Sequence, residues 1–141
     1  MNVQRIAGTL GAEVSGVDLA TDLGDDTVAA LRRAWLEHLV LFFHDQHLTP
    51  AQFLAFGRRF GEPIEYPFVK GLDDYPEIIP VLKREHEQVN FGGVWHSDTT
   101  YLDVPPMASM LLAREVPPAG GDTLFANMYL YTLSLHDALP I

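Results

Sequence analysis

The stretch of sequence that decides the fold spans residues 91–128 and reads FGGVWHSDTTYLDVPPMASMLLAREVPPAGGDTLFANM. Alternating and aromatic residues over 94–102 predict a strand, which a Pro-Pro pair ends. The run 107–115 predicts a second strand. A third strand is expected over 123–126, after a turn rich in proline and glycine. Strands joined by such turns are typical of an antiparallel β core.

Upstream of this stretch the pattern mixes strands with helices. A loose alternation with two glycines over 9–19 predicts a short strand with a turn or bulge. Apolar residues at helical spacing predict a helix over 25–38, capped by Asp25 or Asp26. The continuous apolar run 39–43 predicts a buried strand.

A second helix is predicted to begin at Thr49. Thr49 suits the N-cap, Pro50 the first helical position, and Gln52 can close a capping box. Gly61 would end this helix, and its apolar face would carry Phe53, Phe56 and Phe60. A further strand is expected over 78–82. The sequence therefore predicts an α+β fold with helices packed outside an antiparallel β core.

Composition limits the classes of function that the chain can serve. It has 141 residues, no cysteine and a net charge of -10. Such an acidic chain has no general attraction for nucleic acid or anionic membranes, and its strong metal ligands are limited to histidine and carboxylates. We expect a soluble cytoplasmic protein of one domain, without a signal peptide or membrane span.

His96 and Asp98 form the sharpest chemical motif. Residues i and i+2 of a strand point to the same face, so the imidazole and the carboxylate would converge. Such a pair suits Fe(II) as two members of a 2-His-1-carboxylate facial triad, which leaves three coordination positions open. Spacing alone is weak evidence, because chance gives roughly 0.5 His-x-Asp matches in a chain of this composition. An ordinary hydrogen-bonded pair is the competing explanation.

A second motif is the turn that contains Gly120 and Gly121. Two glycines allow a tight turn and a close approach of the backbone to another group. Thr123 follows at the start of the predicted strand, with a hydroxyl that can donate to a carboxylate. Taken alone, this turn is equally typical of a plain hairpin.

Together the two motifs resemble the taurine dioxygenase (TauD/TfdA) family, which also contains phenoxyacetate dioxygenases. The resemblance extends to residues 10–19, 48–52 and 59–62, and it covers 9–130 in one register. It implies a double-stranded β-helix (jelly-roll) core with flanking helices, of which this chain would be the N-terminal half. A homo-oligomer is compatible with that resemblance.

Carried over residue by residue, the resemblance makes His96 and Asp98 ligands of Fe(2+). It makes Thr123 a donor to a carboxylate of 2-oxoglutarate, and it places Tyr66 and Thr99 against the primary substrate. The implied reaction consumes 2-oxoglutarate and O2, releases succinate and CO2, and hydroxylates an unactivated C–H bond. The implied substrate is a small organic sulfonate, carboxylate or similar compound.

Departures from the family pattern bear on the substrate. Taurine-specific members place histidines just before the Tyr-Pro pair, where residues 63–65 of this chain are Pro-Ile-Glu. They also carry Asp and Asn shortly before the Trp-His pair, where this chain has Phe91 and Gly92. We therefore expect a substrate more apolar than taurine.

The third ligand of a facial triad has no convincing candidate in the chain. Residues 132–141 resemble the translation of a sequencing adapter, so we expect the natural domain to cover 1–131 and do not assign His136 as a ligand. Two other functions stay open: a non-catalytic jelly-roll binding module that has lost its metal, and a His/Asp metallohydrolase. A downstream His followed by an Arg would favour the oxygenase.

Overall fold

The computed structural model describes residues 1–89 and 91–129, which divide into two compact units. The first unit consists of residues 1–47 and 113–129, and the second consists of residues 48–112. Within the described ranges no helix is long and apolar enough to cross a bilayer.

A three-stranded sheet forms the centre of the first unit, in the order β1-β2-β3. Strands β1 (Asn2–Arg5) and β2 (Ala12–Ser15) pair antiparallel, whereas β3 (Leu41–Phe43) pairs parallel with β2. A parallel pair needs a crossover connection, and helix α1 (Asp25–His38) provides it. This parallel pair lies in the part of the chain where the sequence predicts mixed strands and helices, upstream of the predicted antiparallel strands.

The core of the first unit lies along β2 and α1. Ala12 and Val14 alternate on one face of β2 and are buried. Helix α1 buries residues three apart, as an amphipathic helix does, and these are Val28, Leu31 and Ala34. Helix α1 confirms the predicted helix over 25–38, and β2 confirms the predicted strand within 9–19.

The ends of α1 differ from the prediction. Its N-cap is Gly24, which makes no side-chain capping bond, so neither Asp25 nor Asp26 is the cap. Both aspartates lie in the first helical turn, where carboxylates interact favourably with the helix dipole. At the other end Leu39 has a φ of 67° and its N–H donates to the Trp35 carbonyl. Leu39 is therefore not part of the predicted strand over 39–43, and β3 begins at residue 41.

The second unit contains helix α2 (Pro50–Arg58), whose start is as predicted. The Gln52 N–H donates to the Thr49 hydroxyl over 3.3 Å, and the Thr49 N–H donates to Gln52 Oε1 over 2.9 Å. The helix ends at Arg58, before the expected stop at Gly61, and Arg59 is the C-cap.

The buried face of α2 also differs from the predicted one. Leu54 and Gly57 are its buried residues, whereas Phe53, Phe56 and Phe60 are half-buried. A methyl group added at Gly57 would lie only 2.7 Å from Met110 Cε. Glycine at this place therefore lets Met110 approach the helix closely.

Four predicted strands, over 78–82, 94–102, 107–115 and 123–126, do not form within the described residues. A strand is stable when a neighbouring strand pairs its backbone and its apolar face is covered. Neither condition is met, since apolar side chains of these segments remain largely exposed: Val94 77%, Leu111 75% and Leu124 71%. The described chain is thus a small mixed sheet with two helices.

Candidate metal centre

The structure brings the His96 and Asp98 side chains together in the second unit. His96 Nε2 lies 3.2 Å from Asp98 Oδ1, and both side chains are about half exposed. The predicted strand is absent here, so the expected reason for their convergence is wrong. The pair is followed instead by a turn, in which Thr99 adopts a φ of 43° and the Leu102 N–H donates to the Thr99 carbonyl over 3.1 Å.

A backbone carbonyl two residues earlier sets the orientation of the His96 ring. Nδ1 lies 2.8 Å from the Val94 carbonyl oxygen, which can only accept, so Nδ1 carries the proton. In the neutral imidazole the lone pair is then on Nε2, the atom that faces Asp98. Gly92 leaves room for the ring, because a Cβ at that position would lie 3.1 Å from His96 Cε1.

A lone pair and a carboxylate at this separation require a positive charge between them. A proton on Nε2 gives an ordinary ion pair, and a metal ion gives a coordination site. Two ligand atoms roughly 2.1 Å from one ion at a right angle lie roughly 3.0 Å apart. The observed 3.2 Å and the nitrogen-oxygen donor set therefore fit an Fe(II) site.

The remaining oxygen of the Asp98 carboxylate is also bonded. Ser109 Oγ donates to Asp98 Oδ2 over 2.6 Å, as short as charge-assisted O–H···O⁻ bonds are. Ser109 could not be predicted from the sequence, because it stands eleven residues from Asp98 and no periodicity or motif links the two. Only tertiary structure reveals the contact.

Tyr66 and Thr99, the predicted substrate residues, occupy different surroundings in the second unit. Thr99 is a buried polar residue, 7% exposed, in the turn beside Asp98. Tyr66 lines an open cleft of about 390 Å³ formed by the loop 65–76, and its ring packs edge-on against Phe68, with ring centroids 5.4 Å apart.

Tyr101 extends this aromatic group and was also missed. Its ring centroid lies 6.3 Å from that of Phe68. Partial desolvation, followed by charge repulsion from Tyr66 and a hydrogen bond with Tyr66, raises the pKa of the Tyr101 phenol above its usual value. The sequence signal was the position of Tyr101 within the same aromatic run as His96.

Thr123 belongs to the first unit, whereas His96 and Asp98 belong to the second. It is exposed and follows Gly120 and Gly121, whose φ values of 80° and 76° confirm the predicted need for glycine in this turn. Two contacts attach the segment to the first unit. Phe125 packs edge-on against Phe42, with centroids 6.1 Å apart, and Asn127 Nδ2 donates to the Thr9 carbonyl.

Residues 1–89 and 91–129 contain no group of three or more His, Asp or Glu side chains placed to hold a metal ion. His136 lies outside the described residues. The described residues therefore offer two candidate ligands, His96 and Asp98.

Comparison with known proteins points to one family. Residues 2–140 match the family model described as taurine catabolism dioxygenase TauD, TfdA family. The chain is 35% identical to an alkylsulfatase of Acinetobacter baylyi, with 99% of this chain and 42% of that protein covered. It is 38% identical to an (S)-phenoxypropionate/alpha-ketoglutarate-dioxygenase of Sphingobium herbicidovorans, with 90% of this chain and 45% of that protein covered.

Among solved structures, a taurine dioxygenase from Burkholderia xenovorans is similar, with 38% sequence identity and a TM-score of 0.50. That alignment covers 53% of this chain and 27% of the solved one. The chain spans less than half the length of the curated relatives named above.

Proposed function

Because the chain belongs to the taurine catabolism dioxygenase TauD, TfdA family, we propose that it is part of a cytoplasmic Fe(II)- and 2-oxoglutarate-dependent dioxygenase. The enzyme hydroxylates a small organic substrate and releases succinate and CO2. The observation that carries this proposal is the His96–Asp98 pair, with Nε2 and Oδ1 3.2 Å apart and Nδ1 bonded to the Val94 carbonyl.

His96 and Asp98 would hold the iron through Nε2 and Oδ1. Bound there with 2-oxoglutarate, Fe(II) supplies reductive activation of O2 coupled to oxidative decarboxylation of the cosubstrate. The Val94 carbonyl accepts the Nδ1 proton of His96, so that the neutral ring presents its Nε2 lone pair to a metal ion. Thr123 is assigned to a 2-oxoglutarate carboxylate, and Tyr66 and Thr99 are assigned to the primary substrate.

The substrate that we propose is an apolar organic sulfate ester, sulfonate or carboxylate rather than taurine. One relative, 34% identical, is an alpha-ketoglutarate-dependent sulfate ester dioxygenase of Pseudomonas putida, and another acts on (S)-phenoxypropionate. Aromatic side chains are grouped beside the cleft that Tyr66 lines. Such surfaces suit the alkyl or aryl part of a substrate.

We also propose that residues 1–131 are the N-terminal half of a jelly-roll domain. Three observations support this: the coverage of the relatives, the two-ligand site, and the exposed apolar side chains over 91–125. The missing half would cover the exposed apolar side chains and add a histidine ligand and an arginine for 2-oxoglutarate. Reading the natural DNA past Leu130 tests this, because a frame without a His followed by an Arg contradicts it.

The activity is tested on the full-length protein read from that DNA. We expect succinate formation that needs Fe(II), 2-oxoglutarate and O2, with faster turnover of a medium-chain alkyl sulfate or a phenoxypropionate than of taurine. His96→Ala and Asp98→Ala should abolish turnover, because each removes a ligand. His44→Ala is the matched control, since His44 is exposed and pairs with Glu13 at 3.3 Å.

Each alternative predicts a different result. Substrate binding without any succinate would support the binding module instead of the oxygenase. Hydrolysis of a sulfate ester without O2 or 2-oxoglutarate would support a metallohydrolase. Full activity of both His96→Ala and Asp98→Ala would contradict the assignment of these two residues as iron ligands.

A further inference from the structure

The Asp98 carboxylate is restrained at both of its oxygens. Oδ1 lies 3.2 Å from His96 Nε2, and Oδ2 accepts the Ser109 hydroxyl over 2.6 Å. A carboxylate can bind a metal through one oxygen or through both, so the partner of the second oxygen decides between the two modes. In this structure that partner is Ser109.

Packing on α2 holds Ser109 in place. Its neighbour Met110 reaches the helix at Gly57, and Met107 reaches Gly61, where an added Cβ would lie 3.3 Å from Met107 Cε. The two methionines flank Ser109 in sequence, and they lie against Gly57 in α2 and against Gly61, three residues beyond the helix. The backbone that carries the Ser109 hydroxyl is therefore packed on both sides, against α2 and against the segment that follows it.

We propose that Ser109 is a positioning residue of the iron site. Its hydroxyl occupies Asp98 Oδ2 and leaves Oδ1 alone to bind the metal. This inference rests on the proposed function, because it assumes that His96 and Asp98 bind iron. A carboxylate bound through one oxygen preserves three open positions for a bidentate cosubstrate and dioxygen, whereas one bound through both oxygens would occupy one of them. Groups that hydrogen-bond to metal ligands orient them and tune metal affinity.

The experiment measures metal binding by the full-length protein rather than turnover alone. Co(II) is titrated calorimetrically into the wild type and into Ser109→Ala, Ser109→Thr and Ser109→Val, and the d–d absorption of bound Co(II) is recorded. Threonine and valine have nearly the same size, so that pair isolates the hydroxyl from packing. Ser15→Ala is the matched serine control, because Ser15 is exposed at the end of β2.

We expect Ser109→Ala and Ser109→Val to bind Co(II) about 10- to 100-fold more weakly than wild type. Their d–d spectra should change, because Asp98 is free to bind through both oxygens. Ser109→Thr and Ser15→Ala should keep the wild-type affinity and spectrum. If Ser109→Ala fails to fold, the Thr and Val pair still decides the question.

Failure of this inference can be distinguished from failure of the proposed function. A wild-type protein that binds neither Co(II) nor Fe(II) contradicts the iron site itself. A wild type that binds Co(II), together with Ser109→Val of equal affinity and identical spectrum, contradicts only the role of Ser109. Equal weakening by Thr and Val also overturns it, because packing rather than the hydroxyl would then be responsible.

Discussion

Replacing Gly71 by alanine should disrupt the loop that carries Tyr66. The Gly71 backbone lies against Pro76, and a Cβ added there would stand 2.0 Å from the Pro76 carbonyl oxygen, although real Cβ atoms come no closer than 3.0 Å. The obstacle is main chain rather than a flexible side chain, so no rotamer change relieves it. The two backbone segments must separate by about 1 Å.

The size of the effect follows from what that separation breaks. The Leu72 N–H donates to the Ile78 carbonyl over 2.9 Å, and the Ile78 N–H donates to the Tyr75 carbonyl over 3.0 Å. Overpacking costs about 1–3 kcal/mol, and each weakened hydrogen bond costs about 0.5–1.5 kcal/mol. We expect Gly71→Ala to lower the free energy of unfolding by about 2–6 kcal/mol.

Function should suffer beyond stability, because Tyr66 and Phe68 line the same cleft as Gly71. A displacement of about 1 Å in a substrate-positioning group can cost about 100-fold in rate. Urea unfolding of the full-length protein gives the free energy, and succinate formation at varied substrate concentration gives kcat/KM. Gly8→Ala is the matched control, since nothing lies within 4 Å of its added Cβ. A Gly71→Ala protein with wild-type stability and kcat/KM would refute the reasoning.

Three further predictions concern the elements around the site. Thr49→Ala removes the capping bond to Gln52 and should cost about 1 kcal/mol in urea unfolding; no loss would show that the capping box contributes nothing. Leu31 is fully buried, so Leu31→Ala should cost about 3–5 kcal/mol in the same assay, and a loss below that of Thr49→Ala would contradict this core. The pKa of the Tyr101 phenol is raised above its usual value of 10.0. The protonated phenol therefore contributes stability that is fully present below pH 10.0 and is lost as the pH rises through the pKa of the folded state. Phenolate absorbance during alkaline titration should place that pKa above the usual value, and Tyr66→Phe should lower it; an unchanged midpoint would contradict the coupling.

The helices and the glycine turn could be predicted because their causes are local. The capping box of α2 depends on residues three apart in sequence. The turn at Gly120 and Gly121 depends on backbone angles that glycine alone adopts easily. Burial along α1 follows the helical period. None of these features depends on a distant segment of the chain.

The strands were predicted less well, because a strand depends on partners that lie elsewhere in the chain. β1 was missed: three of its four residues are exposed, so the sequence shows no buried alternation. It forms because β2 pairs with it from Ala12 to Ser15. The segments over 94–102 and 107–115 show the opposite case, with the apolar pattern of strands and no described partner.

The proposed metal site depends both on local sequence and on distant segments of the chain. His96 and Asp98 are close in sequence, so almost any compact turn can bring them together, and their convergence could be expected even though the predicted strand was wrong. Ser109 reaches Asp98 from a segment that packs through Met110 against α2 and through Met107 against Gly61. A third ligand and the relation of Thr123 to the metal depend on still more distant parts of the chain. The proposal that His96 and Asp98 bind iron therefore relies on local geometry. The number of coordination positions that the proposed iron site leaves open depends on long-range contacts. Within the described residues, the contact between Ser109 and Asp98 is the one such contact that we identify.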